Sequence, residues 1–189
     1  MGNFYVNYTI RTTNHAKVIN ALVGRNAFVT PPRNGAVVVF DETSDSQDQD
    51  LVRELGKKLS RELGEAVLAV LNHDDDIFWY ALFEKGKCTD EYDSSPGYFD
   101  PESNPQSPSG GNAAKLCTAF GSPNIQETEK ILRKSSYEDD GYTFAVERHA
   151  DLVKELNLPD FAVGFGFTYI AQGELPPGLA KNDLTKITQ

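Results

Sequence analysis

LGEAVLAVLNHDDDIFWYALFEKGKCTDEYDSSPGYF, residues Leu63–Phe99, is the stretch whose reading decides the fold. Ala66–Leu71 is an unbroken apolar run, the turn-forming Asn72–Asp76 follows, and Ile77–Phe83 is apolar at both odd and even positions. A strand with one wet face alternates, whereas a strand covered on both faces does not. The two runs therefore predict neighbouring strands in the middle of a sheet. A second tight turn at Glu84–Lys87 returns the chain through Cys88–Tyr92, which exits into the loop Asp93–Phe99 with two aromatics at its end.

Upstream, Phe4–Ile10 alternates, with Phe4, Val6, Tyr8 and Ile10 on one face and Tyr5, Asn7 and Thr9 on the other, as a half-buried strand does. Thr13 or Asn14 can cap a short helix carrying Val18, Ile19 and Leu22. Ala27–Thr30 and Ala36–Phe40 read as strands around a Pro-Pro turn. Leu51, Leu55, Leu59 and Leu63, with Val52 beside them, line an amphipathic helix stopped by Gly64. The order β-α-β-β-α-β plus a hairpin strand matches a ferredoxin-like N-terminal half of an α+β fold.

Downstream, residues 100–112 (DPESNPQSPSGGN) read as a loop or linker between a sheet core at 1–99 and a helical layer at 113–171 packed on the same sheet. Helices are expected over Ala113–Phe120, after Asn124 with Glu127 completing a capping box, and from Thr143 to Asn157-Leu158-Pro159. Glu138–Gly141 is a charged turn between the last two. Phe161–Ile170 (FAVGFGFTYI) alternates large and small residues and reads as a final strand, and 172–189 as a loose tail.

Of 189 residues, 39% are hydrophobic and 11% aromatic, enough to build a core. The formal charge is -10, and each half of the chain carries the same excess of acidic residues, so no basic footprint for nucleic acid or an anionic membrane exists. The N-terminus has no basic, apolar leader. Its Met-Gly-Asn opening fails the myristoylation pattern, because Val6 stands where Ser or Thr is needed. No apolar run is long enough to span a bilayer, and the reading is a cytoplasmic protein with two reduced thiols, Cys88 and Cys117.

Candidate chemistry is sparse. Gly164-Phe-Gly166 lacks the third small residue of a dinucleotide loop, since Tyr169 stands there. The acidic stretch Asp41–Asp50 fits no calcium-loop register, and His73–Asp76 could give an ion two ligands at most; turn chemistry explains these residues better, so no metal or cofactor is assigned. His149 lies on the buried face of its helix, where a histidine is more often a hydrogen-bonded core residue than a base. With Cys117 it is the one nucleophile pair a hydrolase could use. The loop residues Tyr92, Asp93, Ser94, Ser95, Tyr98 and Phe99 combine hydroxyls, a carboxylate and rings, a composition suited to recognition. The leading expectation is a non-catalytic binding protein (an inhibitor, antitoxin-like partner or adaptor) that meets a basic protein through its acidic surface. The alternatives are a small-molecule or metal-ion binder with that loop as a lid, or a hydrolase using His149 and Cys117.

Overall fold

The computed structural model describes residues 2–99, 107–136 and 140–189. The chain runs β1 (Phe4–Ile10), α1 (His15–Ala21), β2 (Ala27–Val29), β3 (Val37–Asp41), α2 (Gln49–Leu63), β4 (Val67–His73), β5 (Ile77–Glu84) and β6 (Lys87–Asp93). It continues through β7 (Ser109–Gly110), α3 (Ala113–Phe120), α4 (Ile125–Arg133), α5 (Ala145–Glu155), α6 (Phe167–Ala171) and β8 (Thr185–Ile187). This is a mixed α+β architecture. The eight strands form one antiparallel sheet in the order β7-β6-β5-β4-β1-β3-β2-β8.

The sheet is covered on both faces, which is why its central strands lack polar alternation. On β4, Val67, Ala69 and Leu71 join a cluster with Val52, Leu55 and Leu59 of α2 and Val18 of α1. The alternate residues Leu68 and Val70 join Phe78, Tyr80 and the residues Leu116, Leu132 and Leu152 of α3, α4 and α5. Period-2 side-chain alternation thus sends one run into two cores. β1 is not half-buried as its pattern suggests: Tyr5, Asn7 and Thr9 are as inaccessible as Val6 and Tyr8. Its polar side chains are tolerated because they bond. Asn7 Nδ2, for example, donates to Ala162 O at 2.7 Å and Phe165 O at 3.0 Å.

Those two bonds also explain why Phe161–Ile170 is not a strand. Ala162 ends a 3₁₀ turn (Asp160–Ala162), Gly164 takes a left-handed φ of 81°, and α6 begins at Phe167. A Cβ at Gly166 would stand 2.5 Å from Asp45 Oδ1 and 3.0 Å from Tyr5 Cβ, so glycine lets this segment lie against β1. The large residues fill a third cluster, where Phe161, Phe167 and Ile170 pack with Phe28 and Phe40. The tail is not loose throughout, since Thr185–Ile187 pairs with Val29–Ala27 as an edge strand.

α2 starts at Asp48, whose carboxylate accepts from Asp50 N and Leu51 N, and stops at Gly64 with φ 73°. Val52, not Leu51, begins its buried row, and Leu51 is 37% exposed. Asn124 makes no side-chain cap on α4. The reciprocal carboxylate bond appears instead at α5, where Glu147 Oε2 accepts from Thr143 N at 3.1 Å and Phe144 N at 3.0 Å. The linker-like segment contributes β7 and the cap Asn112, while 100–106 and 137–139 lie outside the described residues. Among the described residues no helix is long and apolar enough to cross a membrane.

Candidate functional site: a cleft at the end of the central strands

The β4–β5 hairpin turns on Asp74 and Asp75, with φ of 53° and 59°, which is the left-handed pair a two-stranded turn of native twist needs. Its carboxylates serve the fold. Asp74 Oδ1 accepts from Gly2 N, and Asp75 Oδ2 accepts from Asn3 N and Nδ2, so the turn holds the first residues of the chain. Asp76 Oδ2 accepts from Tyr98 OH at 2.7 Å and anchors the loop after β6.

Beside this turn opens a cleft of about 400 Å³. Leu71 and Ile77, both buried, are apolar residues of its lining. Leu71 and His73 project from the same face of β4 as Ala69, toward α2. Gln47 and Gln49, where the chain enters α2, line the cleft together with Ser95, Gly97, Tyr98 and Phe99 of the loop. Asp93, the last residue of β6, completes the lining.

His73 is the best-defined polar group here. Gln47 Nε2 donates to Asn72 O at 2.7 Å, which orients the amide and leaves its Oε1 to accept from His73 Nδ1 at 2.6 Å. With Nδ1 carrying the proton, Nε2 of the neutral ring is an acceptor. Three rings meet the imidazole edge to face: Phe4 at 4.9 Å, Phe99 at 5.1 Å and Tyr98 at 6.4 Å between centroids. Such pairs fix ring orientation as well as burying area.

Asp93 Oδ1 accepts from Ser95 N at 2.8 Å. Burial raises the pKa of its carboxyl above the ordinary value, the Ser95 bond opposes that shift, and the charge of Glu91 adds to it.

Asp93, Ser95, Tyr98 and Phe99 therefore come together around the cleft, as their shared loop suggests. Tyr92 and Ser94 do not. Tyr92 alternates to the opposite face, where its ring stacks on Tyr80 at 5.3 Å. Ser94 extends the ladder, its N donating to Phe78 O and its Oγ accepting from Phe78 N. Gln47, Gln49, Leu71, His73 and Ile77 are the lining residues that sequence reasoning missed. One signal was available: His73 follows Leu71 at strand spacing, so it shares a face with a core residue instead of belonging only to the turn.

The remaining candidates are occupied elsewhere. His149 is buried, with Nδ1 2.8 Å from Tyr5 OH, and desolvation lowers its pKa to about 3. Cys117 is buried with Sγ 3.4 Å from Thr128 Oγ1, so the two residues of the supposed nucleophile pair have different partners. Asp41 is held bidentately by Arg25 at 2.6 and 2.7 Å, and Asp45 Oδ2 accepts from Thr168 N. Among the described residues, no three His, Cys, Asp or Glu side chains are grouped as metal ligands. Comparison with known proteins is equally spare: no protein-family model, no curated protein and no solved structure matches this chain.

Proposed function

We propose that the protein is a non-catalytic small-molecule binder whose ligand occupies the cleft between the entry to α2 and the loop Ser94–Phe99. The observation that carries this reading is the oriented His73. Its Nδ1 is committed to Gln47, and the ring so oriented lines a cleft of about 400 Å³ with an apolar component from Leu71 and Ile77. Ligand sites generally combine such a volume and apolar lining with a few aimed polar groups. The strand order β4-β1-β3-β2, all neighbours antiparallel, supports reading the first half as a ferredoxin-like unit extended by β5 and β6.

The protein-partner reading has its own support. Phe99 is 71% exposed, Tyr98 is 42% exposed and the chain carries a charge of -10, features that suit aromatic anchoring and electrostatic attraction of a basic surface. One set of measurements separates the two. Mass spectrometry of solvent extracts from the natively purified protein, followed by thermal melting with a metabolite library, is expected to give compounds that raise the midpoint of the wild type. They should not do so in Gln49→Trp, which fills the cleft from the first turn of α2. If no compound stabilises the wild type while a basic protein is captured through Tyr98 and Phe99, the partner reading replaces this one.

A further inference from the structure

The polar groups of the cleft are unevenly matched. Its described lining contains one carboxylate, Asp93, and no lysine or arginine. Asp93 takes part in none of the salt bridges among the described residues, and the hydrogen bond it accepts comes from a backbone amide, Ser95 N. Arg53, whose guanidinium reaches Gln49 of the lining at 2.9 Å, is committed to Glu91 at 2.6 Å and to Asp50 at 3.1 Å. Gln47 Nε2 is spent on Asn72 O, while Gln49 Oε1 accepts from Arg53 and leaves Nε2 as a neutral donor, which brings no charge to balance the carboxylate. The charged group of the described lining is therefore the Asp93 carboxylate, set among the His73, Tyr98 and Phe99 rings and the Gln49 amide.

Partial burial makes an unpaired carboxylate costly, and Glu91 adds like charge nearby. An anionic ligand would meet the Asp93 carboxylate, with the like charge of Glu91 behind it. A neutral ligand would desolvate Asp93 further without compensating it. A cation removes the penalty, and an ammonium can donate to Asp93 while its carbon framework covers Leu71 and Ile77 beside the rings of the loop. We infer that the ligand of this cleft is an organic cation, a primary or secondary ammonium joined to a flat apolar group, with Asp93 as its counter-ion. The inference rests on the small-molecule reading proposed above.

The test uses the full chain and three sets of probes at millimolar concentration: benzylamine, tyramine and tryptamine; the neutral benzyl alcohol; and the anion benzoate. Saturation-transfer NMR and thermal melting report binding. The amines are expected to bind, with benzyl alcohol and benzoate at least tenfold weaker, roughly the factor one charge-assisted hydrogen bond confers. Asp93→Asn keeps an oxygen to accept from Ser95 N, so the loop stays anchored. It should weaken the amines by roughly ten- to a hundredfold. Benzyl alcohol or benzoate binding as tightly as the amines, or full amine affinity in Asp93→Asn, overturns the charge assignment; the cleft reading survives if Gln49→Trp still abolishes that binding. Silence of every amine overturns the charge assignment, and the cleft reading then stands or falls on the metabolite-library melts.

Discussion

The Tyr5 hydroxyl lies 2.8 Å from His149 Nδ1 and joins β1 to α5 beneath the helical layer. Asn72 Nδ2 approaches the same hydroxyl oxygen at 3.5 Å, so the phenol proton is directed to Nδ1, which accepts it. The imidazole is also stacked against Phe78 at 5.4 Å. This is a neutral histidine by construction, because protonation would place a charge in a buried, aromatic site.

The consequence is a pH dependence of stability. His149 has its pKa lowered from 6.5 to about 3 by burial. As pH falls below 6.5 the unfolded chain takes up a proton that the folded chain refuses, so stability is complete above that value and is lost progressively down to about 3. In urea titrations the wild type should lose up to about 1.4 kcal/mol per pH unit relative to His149→Gln across this window. Glutamine keeps an acceptor for Tyr5 and does not titrate. Parallel stability curves for the two proteins would show that His149 is not the linked group.

The cysteines separate a structural from a catalytic reading of the same region. Cys88 is exposed and Cys117 is buried beside Thr128. A maleimide should therefore modify Cys88 in the native protein and reach Cys117 only on unfolding. The Cys88 thiol has its pKa raised, chiefly because the protein partly desolvates the otherwise accessible sulfur and then by Glu91, so its labelling rate should still be climbing above neutral pH. Rapid native labelling of Cys117 at neutral pH would revive the nucleophile pair with His149.

The legible parts of the sequence are those where one local rule meets no competitor. Ala66–Phe83 reads as paired central strands because no polar alternation interrupts it, and Val67–His73 and Ile77–Glu84 are those strands. Leu51, Leu55, Leu59 and Leu63 mislead because a four-residue step overshoots a helical turn by about 40°, so the row drifts and Val52 replaces Leu51 at the core. FAVGFGFTYI misleads because its alternation arises from packing over β1. The deciding contact, Asn7 Nδ2 on two carbonyls more than 150 residues away, is long-range. β8 is only three residues long and depends on β2 for its pairing. The loop half of the cleft was visible as composition. The half formed by Gln47, Leu71 and His73 needed the register of β4 against the entry to α2.

Gly56 in the middle of α2 reverses a familiar rule. Helix propensity favours alanine over glycine by about 1 kcal/mol at an interior site. Here a Cβ would stand 2.4 Å from Phe83 Cε2 and 2.5 Å from Cδ2, and Phe83 is fully buried. Gly56→Ala should destabilise by roughly 1–3 kcal/mol despite its propensity gain. Phe83→Leu added to Gly56→Ala should cost less than Phe83→Leu alone, because leucine removes the ring that the new methyl meets. A Gly56→Ala protein that melts above the wild type would mean that α2 can shift away from β5 at no cost.

Arg148 presents a buried cation whose recorded partners include no carboxylate among the described residues. The guanidinium donates to Ile131 O at 2.5 Å, Lys134 O at 2.7 Å and Ser136 Oγ at 3.2 Å, and it lies 4.5 Å from the centroid of the Tyr142 ring. Ile131 lies in the last turn of α4 and Lys134 is its C-cap, so the charge sits at the negative end of the helix dipole and satisfies carbonyls that have no helical donor. Burial lowers its pKa, yet an arginine stays charged. Replacing a buried ion pair with apolar residues can be neutral or stabilising, because both charges disappear. Arg148→Met differs, since the carbonyls remain and lose their donor. Urea unfolding should show a loss of roughly 2–4 kcal/mol for Arg148→Met. Arg148→Lys, with its charge kept but the planar fork gone, should remain at least about 1 kcal/mol below the wild type. A methionine variant as stable as the wild type would mean that the end of α4 finds other donors and that the fork does not hold it. A fully rescued lysine variant would assign the effect to charge alone.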